Sequence, residues 1–456
     1  MTADRSRLPD VGPDPQFTFP IIVRHTLENG LKVRTVEHPS VPVISFIVQV
    51  DGGSGSDPSP HEGLAAVVAD MIDEGTGSLS ALDVSDALAR IGADYDVDVG
   101  ADVTMFGLTT LIRFADRGAS LLASLVTRPS MREDDFGRVR QLRLDRLRQL
   151  KDLAPAVAER AFLRLLYGAH PYGHLPIGND RSLREIALPH VVDFHESLYR
   201  PDRSTLVVAG AMSHREMLDV VRDAFGSWTV TQRDASVSPA VVDASVDGHA
   251  RLAIVARDGA AQSELRIGQL AARRNTPDYP ALLLMNAVLG GQFVSRVNLK
   301  LREEKGYTYG ARTGFDWRRG VAPFVLQASV HTAATADAIK DALGEIEGMT
   351  SSRPPSDDEL MLARASLTRG YPRNFETAQQ VARGVAQLAL YDLPDTYFEE
   401  FIPKVNAVTA DDVMAATRRH LDPGKLTSLI VGDHAVVGDS LATLGLGTPE
   451  MLPSES

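Results

Sequence analysis

The chain has 456 residues, 44% of them hydrophobic and 23% charged, with a formal net charge of -13 and no cysteine. That length suits two or three domains with sizeable cores. The negative charge argues against a nucleic-acid partner, because phosphate binding needs a positive surface, and the lack of cysteine excludes disulfides, thiolate nucleophiles and cysteine metal sites.

Residues 1–20 are polar and proline-rich and read as an extended arm. They lack the apolar core of a signal peptide, and no run approaches the ~18 apolar residues of a membrane span. A soluble protein is expected, cytoplasmic or, with a leader removed, periplasmic. The stretch "HTLENGLKVRTVEH" predicts two strands around Asn29-Gly30, a pair that tolerates positive φ at both turn positions. "VPVISFIVQV" reads as a β-branched strand and "EGLAAVVADMIDEGTG" as an amphipathic helix. Ser80 and Asp83 form a capping-box pattern for a helix to about Ile91. "DYDVDVG" and "VTMFGLTTLI" read as paired strands. Helix is expected over Asp116–Thr127 and from about Asp134 to Leu166, broken near Pro155. "RSTLVVAG" is a strand and "HREMLDVVRDAF" a helix.

Residues 231–250 lack a sustained period and are rich in small side chains, as a linker is. After them the pattern restarts with the strands "RLAIVAR" and "SELRIGQL", the helix "DYPALLLMNAVLGG", the strand "APFVLQASVH" and a late strand "KLTSLIVGD". A gapless shift of 222 residues lays "HVVDFHESLYRPDRSTLVVAG" (190–210) on "DVMAATRRHLDPGKLTSLIVG" (412–432). Pro201 meets Pro423, and Gly210 meets Gly432. The same order of helix, proline turn and strand in both halves indicates an internal repeat. The expected fold is α+β: two homologous domains, 21–230 and 251–440, each a mainly antiparallel sheet covered by helices, with a tail at 441–456.

A metal site built on one helix needs histidines or carboxylates on one face. His170 and His174 lie in "HPYGH", whose proline and glycine favour a loop. His190 and His195 stand ~140° apart on a helix of ~3.6 residues per turn, so they do not share a face. No Walker-type, dinucleotide or nucleophile-elbow motif appears. One segment is dense in groups that could bind a peptide: "GGQFVSRVNLKLREEKGYTYGARTGF", Gly290 to Phe315. It offers Arg296 and Arg302 on a short helix closed by Lys305-Gly306, and then Tyr307 and Tyr309 at a strand. The guanidinium is a planar five-donor fork suited to carbonyls and carboxylates, and a phenol can donate to a developing oxyanion. The plainer alternative pairs Arg302 with Glu303 or Glu304 on the surface and packs Tyr309 in a sheet.

From "TLENGLKV" to "TSLIVGD" the chain resembles the pitrilysin/insulinase (inverzincin) zinc peptidases, in the short branch of the mitochondrial-processing-peptidase type. In active members the helix reads Gly-Leu-Ala-His-x-x-Glu-His with a Gly-Thr exit. Two histidines and a downstream Glu bind zinc, and the Glu between the histidines activates water. The degenerate helix is 63–76 in this chain, and those positions are Ala66, Ala69 and Asp70. In the long helix "FGRVRQLRLDRLRQL" the only carboxylate is Asp145. The resemblance therefore implies no metal in this chain. The family's Leu-Arg-Glu-x-x-Gly-x-x-Tyr is intact as Leu301 to Tyr309, which implies that Arg302 and Tyr309 bind substrate backbone and the transition state.

Two-chain members divide zinc and Arg/Tyr between subunits. The resemblance therefore implies a non-catalytic, substrate-binding subunit of a heterodimeric zinc metalloendopeptidase. A homologous zinc-motif subunit would be the partner and peptide the substrate in an enclosed chamber. The alternative is a catalytically inert structural or peptide-binding relative. A third reading is a metal site using His61, Asp70, Asp73 and Glu74, which lacks a second histidine and a shared helical face.

Overall fold

The computed structural model describes residue 12, residues 17–229 and residues 251–453. The linker expected at 231–250 and most of the arm expected at 1–20 lie outside the described residues. Strands β1 (Ile22–Thr26), β2 (Lys32–Glu37) and β3 (Val43–Val50) open the fold, and a separate hairpin follows, β4 (Gly75–Thr76) with β5 (Leu79–Ser80). Strands β6 (Asp94–Val99), β7 (Thr104–Leu111) and β8 (Ser204–Gly210) complete the first sheet, in the order β1-β2-β8-β3-β7-β6. The second sheet contains β9 (Leu252–Ala256), β10 (Gln262–Ala272), β11 (Thr308–Phe315), β12 (Ala322–His331), β13 (Thr427–Gly432) and β14 (Glu450–Leu452), in the order β11-β12-β10-β13-β9-β14. In the first sheet only β2–β8 is parallel. In the second, β9 runs parallel to both neighbours. Both sheets are thus mainly antiparallel.

The helices of the first half are α1 (Leu64–Met71), α2 (Ala81–Arg90), α3 (Ala115–Thr127), α4 (Glu133–Lys151), α5 (Ala154–Tyr167), α6 (Asp180–Glu185), α7 (Leu188–Leu198) and α8 (His214–Phe225). Those of the second are α9 (Tyr279–Asn286), α10 (Arg296–Asn298), α11 (Thr335–Thr350), α12 (Asp357–Thr368), α13 (Ala378–Leu390), α14 (Tyr397–Ala407), α15 (Ala410–His420) and α16 (His434–Leu441). The shift of 222 seen in the sequence maps both ends of α7 onto both ends of α15. Pro155 stands in the first turn of α5, where its missing N–H breaks no helical bond. The chain breaks just before it, at Asp152 and Leu153. The Ser80–Asp83 capping box is present.

The segment 441–456, read from the sequence as a tail, contains a strand. Its residues Glu450–Leu452 add a sixth strand beside β9, in the place that β1 holds in the first sheet. No alternation marks this three-residue strand in the sequence. The open edge of β9 specifies it, by offering unpaired backbone groups. At the other end of the chain, Phe17 stacks on Phe375 at 5.1 Å between ring centroids and Phe19 lies 4.7 Å from Phe398, so the arm reaches the second half.

Each sheet is buried on both faces. Along β3, Phe46, Val48 and Val50 join the core of the first half, whereas Ile47 joins a core built mainly by the second. Helix α13 from the second half packs across β3 and β8, and α5 from the first half packs across β10 and β13. Residues Phe162 and Leu166 of α5 share a cluster with Val255, Leu429 and Val431. These two helices correspond in the repeat, so the halves exchange equivalent helices. This explains the continuous apolar runs of β3, β8 and β13, which one-sided sheets would not need.

Removing the Phe162 ring should cost about 3–5 kcal/mol, as for other buried Phe→Ala changes. The chain has two tryptophans, Trp228 in the first half and Trp317 in the second. Urea unfolding of Phe162→Ala, followed in single-tryptophan variants, should therefore move both reporters together. A shift confined to Trp317 would show that the exchanged helices do not couple the halves.

Candidate functional site

The start of α1 is held by a buried carboxylate. Asp57 accepts hydrogen bonds from the backbone N–H groups of Gly63 and Ala65, both at 2.7 Å, and its Oδ2 lies 2.9 Å from Nε2 of His174. Burial pushes the Asp57 acid up, while its bond to His174 and the two backbone donors pull it down. His174 belongs to the "HPYGHLPIG" loop, which clasps the same helix end. Gly178 has φ +73°, and a Cβ there would stand 2.4 Å from the Glu62 carbonyl oxygen. Ser182 Oγ donates to that same carbonyl at 2.6 Å, and Asn179 Nδ2 donates to the Glu62 carboxylate at 2.8 Å.

At the three family positions the helix so held offers no histidine and one carboxylate, Asp70, which is already paired. Ala66 and Ala69 are buried and offer only methyl groups. The carboxylate of Asp70 takes Nε of Arg143 from α4 at 2.6 Å, and Nη2 of Arg143 donates to the Ala66 carbonyl at 3.0 Å. A guanidinium therefore bridges the two helices that a metal would join. Asp145 is committed elsewhere, to Gln141 at 2.8 Å and to Arg148. His61 stacks on His190 at 4.1 Å, and Glu74 pairs with Arg138. His195 lies 2.8 Å from the Val126 carbonyl. The four residues His61, Asp70, Asp73 and Glu74 are thus not brought to one point. Among the described residues no group of three His, Asp or Glu is arranged to hold a metal ion. The residues at the degenerate positions do not fit zinc.

The second region is built differently. After α10 the helix widens into a π turn, Leu299–Glu304, in which Lys305 N–H reaches back to the Lys300 carbonyl at 3.2 Å. Gly306, at φ +64°, then turns the chain into β11. A bulge interrupts β11 between Thr308 and Ala311. There Asn298 Oδ1 takes the Ala311 N–H at 2.8 Å, and Thr308 Oγ1 takes that of Gly310 at 3.1 Å. Bulges re-aim side chains, and Tyr309 in this one is 92% exposed. It does not pack in the sheet.

Arg302 lies over the Tyr309 ring at 5.5 Å and over the Phe293 ring at 4.4 Å, and it pairs with Glu303 at 3.5 Å. Arg302 and Tyr309 are therefore neighbours. Val294 and Leu299 are exposed in the same segment as Phe293. Arg296 is not part of this group, being locked to Glu359 at 2.7 Å. Sequence reasoning missed Phe293 as the second ring under Arg302, and Arg143 as the group facing Asp70. The arginine-rich spacing of α4 carried a signal of basicity without saying which arginine faces inward.

Two models of one family match the chain. "Insulinase (Peptidase family M16)" matches residues 32–176, and "Peptidase M16 inactive domain" matches residues 186–367. The chain belongs to the M16 (insulinase) family. It is similar to an uncharacterized zinc protease of Mycobacterium bovis, with 25% identity covering 90% of this chain and 93% of that protein. A probable mitochondrial-processing peptidase subunit beta of Schizosaccharomyces pombe is 24% identical over 58% of each chain. Among solved structures, an M16 inactive domain from Pseudomonas fluorescens superposes with a TM-score of 0.83 at 23% identity, covering 91% of this chain and 98% of that one. A protease from Helicobacter pylori superposes with a TM-score of 0.84 at 20% identity, covering 90% and 99%. These last two likenesses establish the two-part M16 fold.

Arg143 makes rebuilding of a metal site testable. The triple variant Ala66→His, Ala69→Glu, Asp70→His should bind zinc weakly, because a fixed cation faces the new ligands. Adding Arg143→Glu should raise affinity by roughly tenfold or more, as a carboxylate replaces the charge. Chelator competition measures it, and equal affinity with and without Arg143 would show that the guanidinium does not face the site.

Asp73 gives a pH test. Burial, with Glu74 beside it, pushes its carboxyl from 3.8 up to about 6. The folded state holds this proton more tightly than the unfolded chain, so stability is lost as pH rises through that window. Asp73→Asn should raise Tm at neutral pH, with the advantage vanishing near pH 4. A gain independent of pH would mean that ionisation is not its source.

Proposed function

We propose that this M16 chain is the zinc-free, substrate-binding subunit of a heterodimeric zinc peptidase, with a homologous subunit carrying the zinc helix. One observation supports this reading above the others. Arg302 and Tyr309 stand side by side, and the bulge presents Tyr309 to solvent. The degenerate helix meanwhile keeps its packing and has exchanged ligands for alanines and an ion pair.

On this reading the peptide lies between the two subunits. The guanidinium of Arg302 donates to peptide carbonyls. The phenol of Tyr309 donates to the oxygen that gains negative charge as the peptide bond is attacked. Phe293 and Tyr309 both lie within cation–π reach of the guanidinium, which lowers the rotational freedom it loses when it engages substrate. All hydrolytic chemistry that needs the metal belongs to the partner.

The second reading, an inert structural or peptide-binding relative, draws on the same contacts. Arg302 is already paired with Glu303 and stacked on Phe293 within its own chain.

The assembled pair separates the two readings. Tyr309→Phe should lower peptide turnover by ~10²–10³ while leaving association with the partner unchanged, because it removes one oxyanion donor. Arg302→Ala should chiefly raise KM. Turnover that is the same for wild type, Tyr309→Phe and the zinc subunit alone would assign the chain to the inert class.

A further inference from the structure

Three arginines are buried among the described residues: Arg266, Arg274 and Arg318. Two of them have carboxylate partners. Arg266 is paired with Glu264, and Arg318 with Asp316 at 2.7 Å. Arg274, 6% exposed, has no carboxylate partner among the described residues. Its Nη2 donates to the Tyr397 hydroxyl at 2.7 Å, and its guanidinium carbon lies 3.5 Å from the Tyr279 ring centroid and 5.1 Å from that of Tyr397. A buried charge held only by neutral phenols is costly unless an anion joins it.

The same arginine lines a cleft of about 590 Å³. Its walls come from the loop before α9, the turn Tyr371–Phe375, and helices α12, α13 and α14. Tyr371, Phe375, Phe398 and Phe401 give them aromatic surface, set beside the polar side chains of Asn374, Gln380 and Gln387. Ring pairs such as Tyr371 on Phe401, stacked at 4.3 Å, hold these walls in place. A volume of this size is in the range of small-molecule sites, where a few polar groups orient a ligand among apolar walls.

We infer that this cleft binds an aromatic carboxylate, with the carboxylate on Arg274 and the ring against the aromatic side chains that line the cleft. Arg offers a fork matched to carboxylate geometry, and aromatic walls favour a flat apolar body. Two sources share that chemistry: a free aromatic acid, and the terminal residue of a peptide ending in phenylalanine. The site lies apart from Arg302 and Tyr309, none of whose segment lines it, and the inference does not rest on the proposed function. It touches the first half through Arg383, which lines the cleft and pairs with Asp96 on the edge strand β6 at 2.7 Å.

Calorimetric titration of the full chain tests the inference, with 3-phenylpropionate, 3-phenylpropionamide, and a pentapeptide ending in phenylalanine with either a free or an amidated C-terminus. Saturable binding of 3-phenylpropionate with loss for its amide supports a free acid. Tighter binding of the free-carboxylate peptide than of 3-phenylpropionate, with loss on amidation, supports the peptide source. Arg274→Gln should weaken binding about 10- to 100-fold, the loss of a charge-assisted pair. Arg274→Lys, which keeps the charge without the fork, should retain part of the affinity, and thermal unfolding verifies that both variants are folded. Absence of saturable binding by either carboxylate, or equal binding of acid and amide, overturns the inference. So does undiminished binding by folded Arg274→Gln.

Discussion

The exchange of α5 and α13 is the constraint on which the rest of the structure depends. Each sheet has one face covered by its own helices and the other by a helix from the opposite half. Neither sheet could be left with that face in water, because the central strands β3, β8, β10 and β13 are buried on both sides, mostly through apolar side chains. The exchange joins two homologous units into one packing system. It also places the linkers between exchanged helices and sheets under specific hydrogen bonds, such as the Tyr167 hydroxyl to the Val321 carbonyl at 2.6 Å and the Arg319 backbone N–H to the Asp102 carboxylate at 2.9 Å. The buried Arg318 lies near the rings of both Tyr167 and Tyr172 at the same junction, at 5.0 and 4.8 Å. The "HPYGHLPIG" loop therefore serves both halves: Tyr172 meets the second, and His174 and Gly178 hold α1 in the first.

Against this framework the degenerate helix makes physical sense. Its backbone is anchored by Asp57 and by the loop, so its position is set without a metal. Alanine at positions 66 and 69 fills the space beside α4 without an unsatisfied polar group, and Asp70 is neutralised by Arg143. Cation and carboxylate are still present between α1 and α4, but the cation is covalently part of the chain. In the second half the retained motif depends on two irregularities, a π turn and a β-bulge.

Much of the architecture was legible because it rests on local pattern. Asn29-Gly30 marked its hairpin, Ser80 and Asp83 their cap, and Pro155 the break between α4 and α5. The shift of 222 residues aligned α7 with α15 at both ends, since both copies share the same helix, proline turn and strand. The strand at Glu450–Leu452 was not legible, because its specification lies in the exposed edge of β9 and not in its own residues. Arg143 was hidden for a related reason. Several arginines of α4 are chemically equal in sequence, and only the packing of α4 on α1 selects one. Asp145, the only carboxylate in the central run of that helix, pairs with Gln141 and Arg148 within its own helix.

By itself the sequence determined what the chain can hold chemically. Alanine carries no ligand in any fold, and the Arg302 to Tyr309 spacing survives as a motif whatever surrounds it. It also determined the repeat, since period and turn chemistry are local properties. Only the tertiary structure decided which half covers which sheet, which arginine answers Asp70, and that Tyr309 faces outward beside Arg302. It alone left Arg274 buried without a carboxylate among the described residues. Apart from the bulge at Tyr309, which nearby residues such as Asn298 and Thr308 build, these outcomes depend on contacts between residues more than 70 positions apart, such as Arg143 with Asp70 and Arg318 with Tyr172. Their free energy comes from desolvation and close packing, which no local pattern encodes.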